Sequence, residues 1–99
     1  MRFIYKNGAL SQVKGITRLR GTVKDVGNVS VFYGLYEIEL DGRKLFAVSV
    51  SDSYEFHLCT LENEDAVREA YGLISENGVD TASFEGVLDD FMYSLNNIL

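Results

Sequence analysis

Proline is absent from the 99 residues, and cysteine and histidine each occur once. Without proline or a low-complexity tract nothing marks a linker, and the length suits one domain over residues 1–99. The lone Cys59 cannot form an internal disulfide and agrees with a reducing compartment. One Cys and one His fall short of a zinc ligand set. No apolar run approaches the roughly 18 residues that span a bilayer, and no signal-peptide core is visible. A cytoplasmic protein without membrane contact is therefore the expectation. The nine glycines are scattered singly, so there is no Walker-type or dinucleotide loop. Glu62, Glu64 and Asp65, like Asp89 and Asp90, lack the spacing of a calcium loop and suit helix starts and solvated helix faces. No metal and no cofactor is expected.

The first 24 residues also lack any acid. They carry Arg2, Lys6, Lys14, Arg18, Arg20 and Lys24, whereas the remainder holds all 15 acids against Arg43, Lys44 and Arg68. The overall charge is −6. Such a division fits a basic strand lying beside acidic ones, a basic surface for an anionic partner, or head-to-tail self-association. At 46% hydrophobic and 24% charged residues the composition is that of a folded domain rather than a disordered chain.

What is present is β-pattern punctuated by turns. Two β-rich runs flank Asp41-Gly42, the strongest short hairpin signal, because a type I′ turn needs positive φ at both central residues. A two-residue loop fixes the register, setting Leu40 opposite Arg43, Glu39 opposite Lys44, Ile38 opposite Leu45, Tyr36 opposite Ala47 and Gly34 opposite Ser49. Gly27-Asn28 turns a preceding strand, Gly15 to Val26, into the same sheet. That turn predicts Val23 opposite Phe32, Gly21 opposite Gly34, Leu19 opposite Tyr36 and Arg18 opposite Glu37. The two registers agree on one apolar face: Leu19, Val23, Phe32, Tyr36, Ile38, Leu40, Leu45 and Ala47. On the other face Val31, Tyr33, Leu35, Phe46, Val48 and Val50 form an apolar patch that needs covering by the N-terminal segment or another subunit. Arg2 to Tyr5 reads as a further short strand, which Asn7-Gly8 turns toward Ala9–Lys14. Tyr54 to Cys59 reads as another strand, with Glu55, His57 and Cys59 on one side.

Two helices follow. The first starts at Thr60 or Asn63, carries Ala66, Val67, Ala70, Tyr71, Leu73 and Ile74 as its apolar stripe, and ends at Gly78. The second is capped by Asp80, with Val79 and Phe84 as a hydrophobic staple, and lines Phe84, Val87, Leu88, Phe91, Met92, Leu95, Ile98 and Leu99 along one arc. The expected architecture is α+β: an antiparallel β-meander of four to five strands over residues 1–60, then a C-terminal α-helical hairpin over 61–99 packed on one sheet face.

Function is less legible. His57 and Cys59 share a strand face and could form a reactive dyad, with Glu55 as the only partner for the imidazole; the plainer reading is a small apolar Cys beside a rim His. The facing Gly21 and Gly34 leave a dent for a packed ring or a ligand group. Tyr33, Leu35, Phe46, Val48 and Tyr93 are candidates for an interaction surface. Arg18, Arg20 and Lys24 form a basic strand face near Tyr33, but the negative net charge and few available phosphate contacts weigh against nucleic acid. The balance favours a non-enzymatic interaction or regulatory module, with itself or another protein as partner. A small-ligand site or minor enzyme at His57 and Cys59 is the alternative.

The Tyr33-Gly34-Leu35-Tyr36 strand, the acid-led helix from Glu62 to Ile74, and the run Phe84-Glu85-Gly86-Val87-Leu88-Asp89-Asp90-Phe91 resemble a small family of uncharacterised proteins from clostridia-like Gram-positive bacteria. The likeness covers roughly residues 30–95. It implies a small cytosolic bacterial protein and brings no catalytic residue with it.

Overall fold

The computed structural model describes residues 4–6, 15–40, 42–61 and 63–98. Five antiparallel strands, β1 (Ile4–Lys6), β2 (Gly15–Val26), β3 (Val29–Leu40), β4 (Arg43–Ser51) and β5 (Phe56–Leu61), precede two helices, α1 (Glu64–Glu76) and α2 (Phe84–Ile98). Strands β2 to β5 form a meander, and β1 lies beside β5, giving the order β1-β5-β4-β3-β2. The architecture is α+β, as expected. The expected hairpin return through Ala9–Lys14 lies outside the described residues.

The turns act as their residues dictate. Gly27 and Gly42 adopt φ of 64° and 73°, which costs a glycine nothing and would strain other residues. Every predicted pairing of β3 with β4 is present, from Leu40 opposite Arg43 to Gly34 opposite Ser49. Lys44 nevertheless makes its ion pair diagonally, with Glu37 at 3.4 Å.

Strand β2 follows its predicted register from Val26 to Arg20, which opposes Leu35. A β-bulge at Leu19 then shifts the ladder by one residue, so Arg18 opposes Tyr36. Leu19 therefore does not face Tyr36, and Thr17 rather than Arg18 faces Glu37. Beyond the bulge the faces exchange. Ile16 gains Ile38 as its cross-strand neighbour, and the Arg18 guanidinium lies 5.7 Å from the centroid of the Phe32 ring. Both contacts reward the shifted register.

The helices cover the face left for the N-terminal segment or another subunit. Val31, Tyr33, Leu35, Val48, Val50, Cys59 and Leu61 are buried in one cluster with Ala66, Val67, Ala70, Tyr71 and Ile74 of α1 and with Phe84 and Leu88 of α2. Large apolar side chains dominate that face. The opposite face carries Gly21, Gly34 and Ser49 and holds Tyr36, Ile38, Leu45, Ala47 and Leu58 as a second buried cluster, with Phe32 and Phe56 packed against it. Fully burying a Leu or Ile in either layer stabilises the fold by roughly 1.5–3 kcal/mol.

Local signals bound α1 at both ends and lead into α2. Asn63, not Thr60, caps α1, its side-chain oxygen accepting from the amides of Asp65 at 2.8 Å and Ala66 at 3.2 Å. At the other end Gly78 takes φ 61° and the Val79 amide donates to the Ile74 carbonyl at 3.1 Å, closing a Schellman motif. Leu73, placed in the stripe by spacing, is exposed at its margin. Asp80 accepts from the Ser83 amide at 2.8 Å, one turn ahead of α2. Because α2 begins at Phe84, Asp80 is not its N-cap and Val79 and Phe84 do not hold the N′ and N4 positions of a staple, although both are buried in the same cluster.

Candidate functional site

His57 and Cys59 stand opposite Val50 and Val48 on β4 and point into the helix-covered cluster. Both are buried. The imidazole meets the Phe84 ring edge-on, centroids 6.1 Å apart, and its Nε2 lies 3.2 Å from Glu55 Oε1. Its Nδ1 is buried without a hydrogen-bond partner. Cys59 Sγ donates to the Thr60 carbonyl at 3.6 Å and has no solvent-accessible surface. A thiol this enclosed is a packing group rather than a nucleophile within reach of substrate.

Around the histidine lies a polar knot that sequence spacing did not reveal. Asp52 Oδ1 accepts from the amides of Tyr54 and Glu55, each at 2.8 Å, folding the β4–β5 turn around its carboxylate. These donors, with the Thr81 hydroxyl and the nearby His57, hold the Asp52 carboxyl below its ordinary pKa of 3.8. Thr81 Oγ1 lies 3.1 Å from Asp52 Oδ2 and 3.3 Å from Glu55 Oε2, so one hydroxyl proton serves two carboxylates. The knot ties the turn to the segment that leads into α2. Among the described residues no group of three or more His, Cys, Asp and Glu side chains is placed to hold a metal ion.

The glycine dent is occupied. A Cβ on Gly34 would collide with the Tyr36 ring, and one on Gly21 would come within 3.0 Å of the Phe32 ring. Tyr36 lies across Gly34 with its hydroxyl 3.4 Å from Ser49 Oγ. The space is filled by the protein's own rings and is not open to a ligand. The proposed interaction patch is corrected in the same way. Tyr33, Leu35 and Val48 are buried beneath the helices and Phe46 is half-buried against them, while Tyr93 on α2 is 73% exposed.

The basic face is divided. Arg20 and Lys24 lie on the helix side of β2, where Lys24 Nζ donates to the Glu76 carbonyl at the end of α1 at 3.3 Å, while the bulge sends Arg18 to the other side. A shallow groove of about 340 Å³ near the β3–β4 turn mixes Glu37 and Glu39 with Lys44 and Thr17. Its lysine is already paired with Glu37.

The outer edge of β2 remains. Among the described residues no strand pairs with it, and it is 12 residues long. Ile16, Leu19 and Val23 are exposed along it, Val23 at 64%. Arg18 and Arg20 stand exposed on either side. Charge segregation in the sequence points here, although alternation sets Leu19 and Val23 on the inward apolar face, where the structure instead leaves both exposed. Compared with known protein families, curated proteins and solved structures, the chain matches none.

Proposed function

We propose that this chain is a non-enzymatic protein-interaction module whose contact surface is the outer edge of β2. One observation carries the reading: a 12-residue strand whose outer edge pairs with no other strand among the described residues displays the exposed aliphatic side chains of Ile16, Leu19 and Val23. An edge of unpaired backbone N–H and C=O groups is a template for another strand, and exposed apolar side chains add affinity. The enclosed Cys59 and filled Gly21–Gly34 dent give no comparable support to a ligand or enzyme reading.

Quantitative affinity capture with the wild-type chain and a Leu19→Lys/Val23→Lys variant tests the proposal. Both positions are exposed, so the variant keeps its circular dichroism spectrum. Partners held by the wild type and lost from the variant support the reading, and identical capture profiles overturn it.

A further inference from the structure

We infer that the β2 edge takes an extended acidic segment of another protein, with two adjacent carboxylates read by Arg18 and Arg20. This deepens the interaction-module reading and rests on it.

The argument begins with the bulge. On a regular strand Arg18 and Arg20, two residues apart, would share one face. The bulge at Leu19 places them at consecutive rungs of the ladder, opposite Tyr36 and Leu35, and therefore on opposite faces of the sheet. Both are exposed, and neither makes an ion pair with a described acid. A strand added to this edge alternates its side chains between the same two faces. Neighbouring acids in such a strand would place one carboxylate beside each guanidinium. Ile16, Leu19 and Val23 then offer apolar contact on either side.

Charge also argues against a second copy. An antiparallel pairing of two β2 strands about Thr22 sets Arg20 directly opposite the other copy's Lys24, both on the helix side of the sheet. Like charges directly opposite are destabilising. Positive residues and a bulge are the usual means of blocking edge-to-edge association. Here they block a second copy while leaving an aliphatic row uncovered, and that combination selects a partner of opposite charge.

The test uses the whole chain and three fluorescent peptides. These are Thr-Val-Thr-Glu-Glu-Val-Thr-Val, its Lys-Lys counterpart, and a version with the glutamates separated by one threonine. Fluorescence anisotropy measures binding, and hydrogen exchange of the β2 amides locates it. The Glu-Glu peptide is expected to protect β2 and to bind on the order of tenfold more tightly than the Lys-Lys peptide at about 20 mM salt. The preference should shrink by about 200 mM salt. Separating the glutamates should weaken binding, and Arg18→Glu/Arg20→Glu should reverse the preference. The salt series on the wild type tests the charge argument independently of how that variant folds.

Equal β2 protection by all three peptides would overturn the acidic specificity while leaving the module reading in place. Protection that grows with protein concentration alone would assign the edge to a second copy and overturn the inference, as would displacement of the Glu-Glu peptide by single-stranded oligothymidylate. If neither peptide nor protein concentration protects β2, the inference fails, and identical capture by wild type and the Leu19→Lys/Val23→Lys variant would then show that the module reading has failed as well.

Discussion

The hydroxyl of Tyr33, in the middle of β3, donates a 2.8 Å hydrogen bond to the carbonyl of Val79, 46 residues away in the connection between the helices. It joins the sheet to the helix hairpin at one buried point. A second bond, 2.7 Å between Thr22 Oγ1 and the Tyr71 hydroxyl, joins β2 to α1 nearby.

Replacing Tyr33 by Phe keeps the ring and leaves the Val79 carbonyl without its donor. The expected loss is about 1–3 kcal/mol, a fall of roughly 5–15 °C in Tm for a domain of this size. Burial pushes the Tyr33 hydroxyl above its ordinary pKa of 10, and the negative charge of Asp80 adds to the shift. A raised folded-state pKa stabilises the fold below the unfolded value, and this contribution is lost as pH rises through the folded one. Chemical denaturation from neutral to alkaline pH should show a stability drop above about pH 10 in the wild type. A smaller drop is expected in Tyr33→Phe, and equal drops would remove Tyr33 as its source.

Gly34→Ala tests the ring that covers the second cluster. The new methyl group would occupy the place of the Tyr36 ring, which lies buried over Gly34. Displacing it should cost about 1–3 kcal/mol. In Tyr36→Ala the space is vacant, so adding Gly34→Ala to that variant should cost much less. Additive losses in the double-mutant cycle would show that the ring and the glycine are independent.

Cys59 should be silent toward an aromatic disulfide reagent in the native protein and react fully in denaturant, because its sulfur is enclosed between sheet and helices. Labelling on mixing under native conditions would contradict that enclosure.

These contacts also show where the sequence could be read and where it could not. Asp41-Gly42 and Gly27-Asn28 demand their turn geometries whatever surrounds them, so the β3–β4 pairing and most of β2–β3 follow from local residues. The bulge at Leu19 does not. Either alternation of Ile16, Arg18, Leu19 and Arg20 gives a plausible row, and the choice depends on Ile38 and Phe32 across the sheet. The covered face was hidden for a similar reason: Tyr33, Leu35 and Val48 form as good an apolar row as Tyr36, Ile38 and Ala47. Alternation also placed Glu55, His57 and Cys59 on one side without giving their depth. The contact of Thr81 with Asp52 joins residues 29 apart and has no local signature.

That contact leads to the acid behaviour of the fold. Asp52 has its pKa lowered chiefly by the Tyr54 amide and then by the Glu55 amide, with Thr81 and His57 contributing less. A depressed folded-state pKa gives stability that is present above the unfolded value of 3.8 and is lost as pH falls through the folded one. Asp52→Asn keeps an oxygen for the two amides but has no charge to lose. Its deficit relative to the wild type should therefore be largest above about pH 5 and close as the pH is lowered through the carboxylate range. Thr81→Val removes only the hydroxyl shared by Asp52 and Glu55, so it should lower stability while keeping most of the acid-dependent loss. If Asp52→Asn preserved the pH dependence, the Asp52 carboxylate would not be its source.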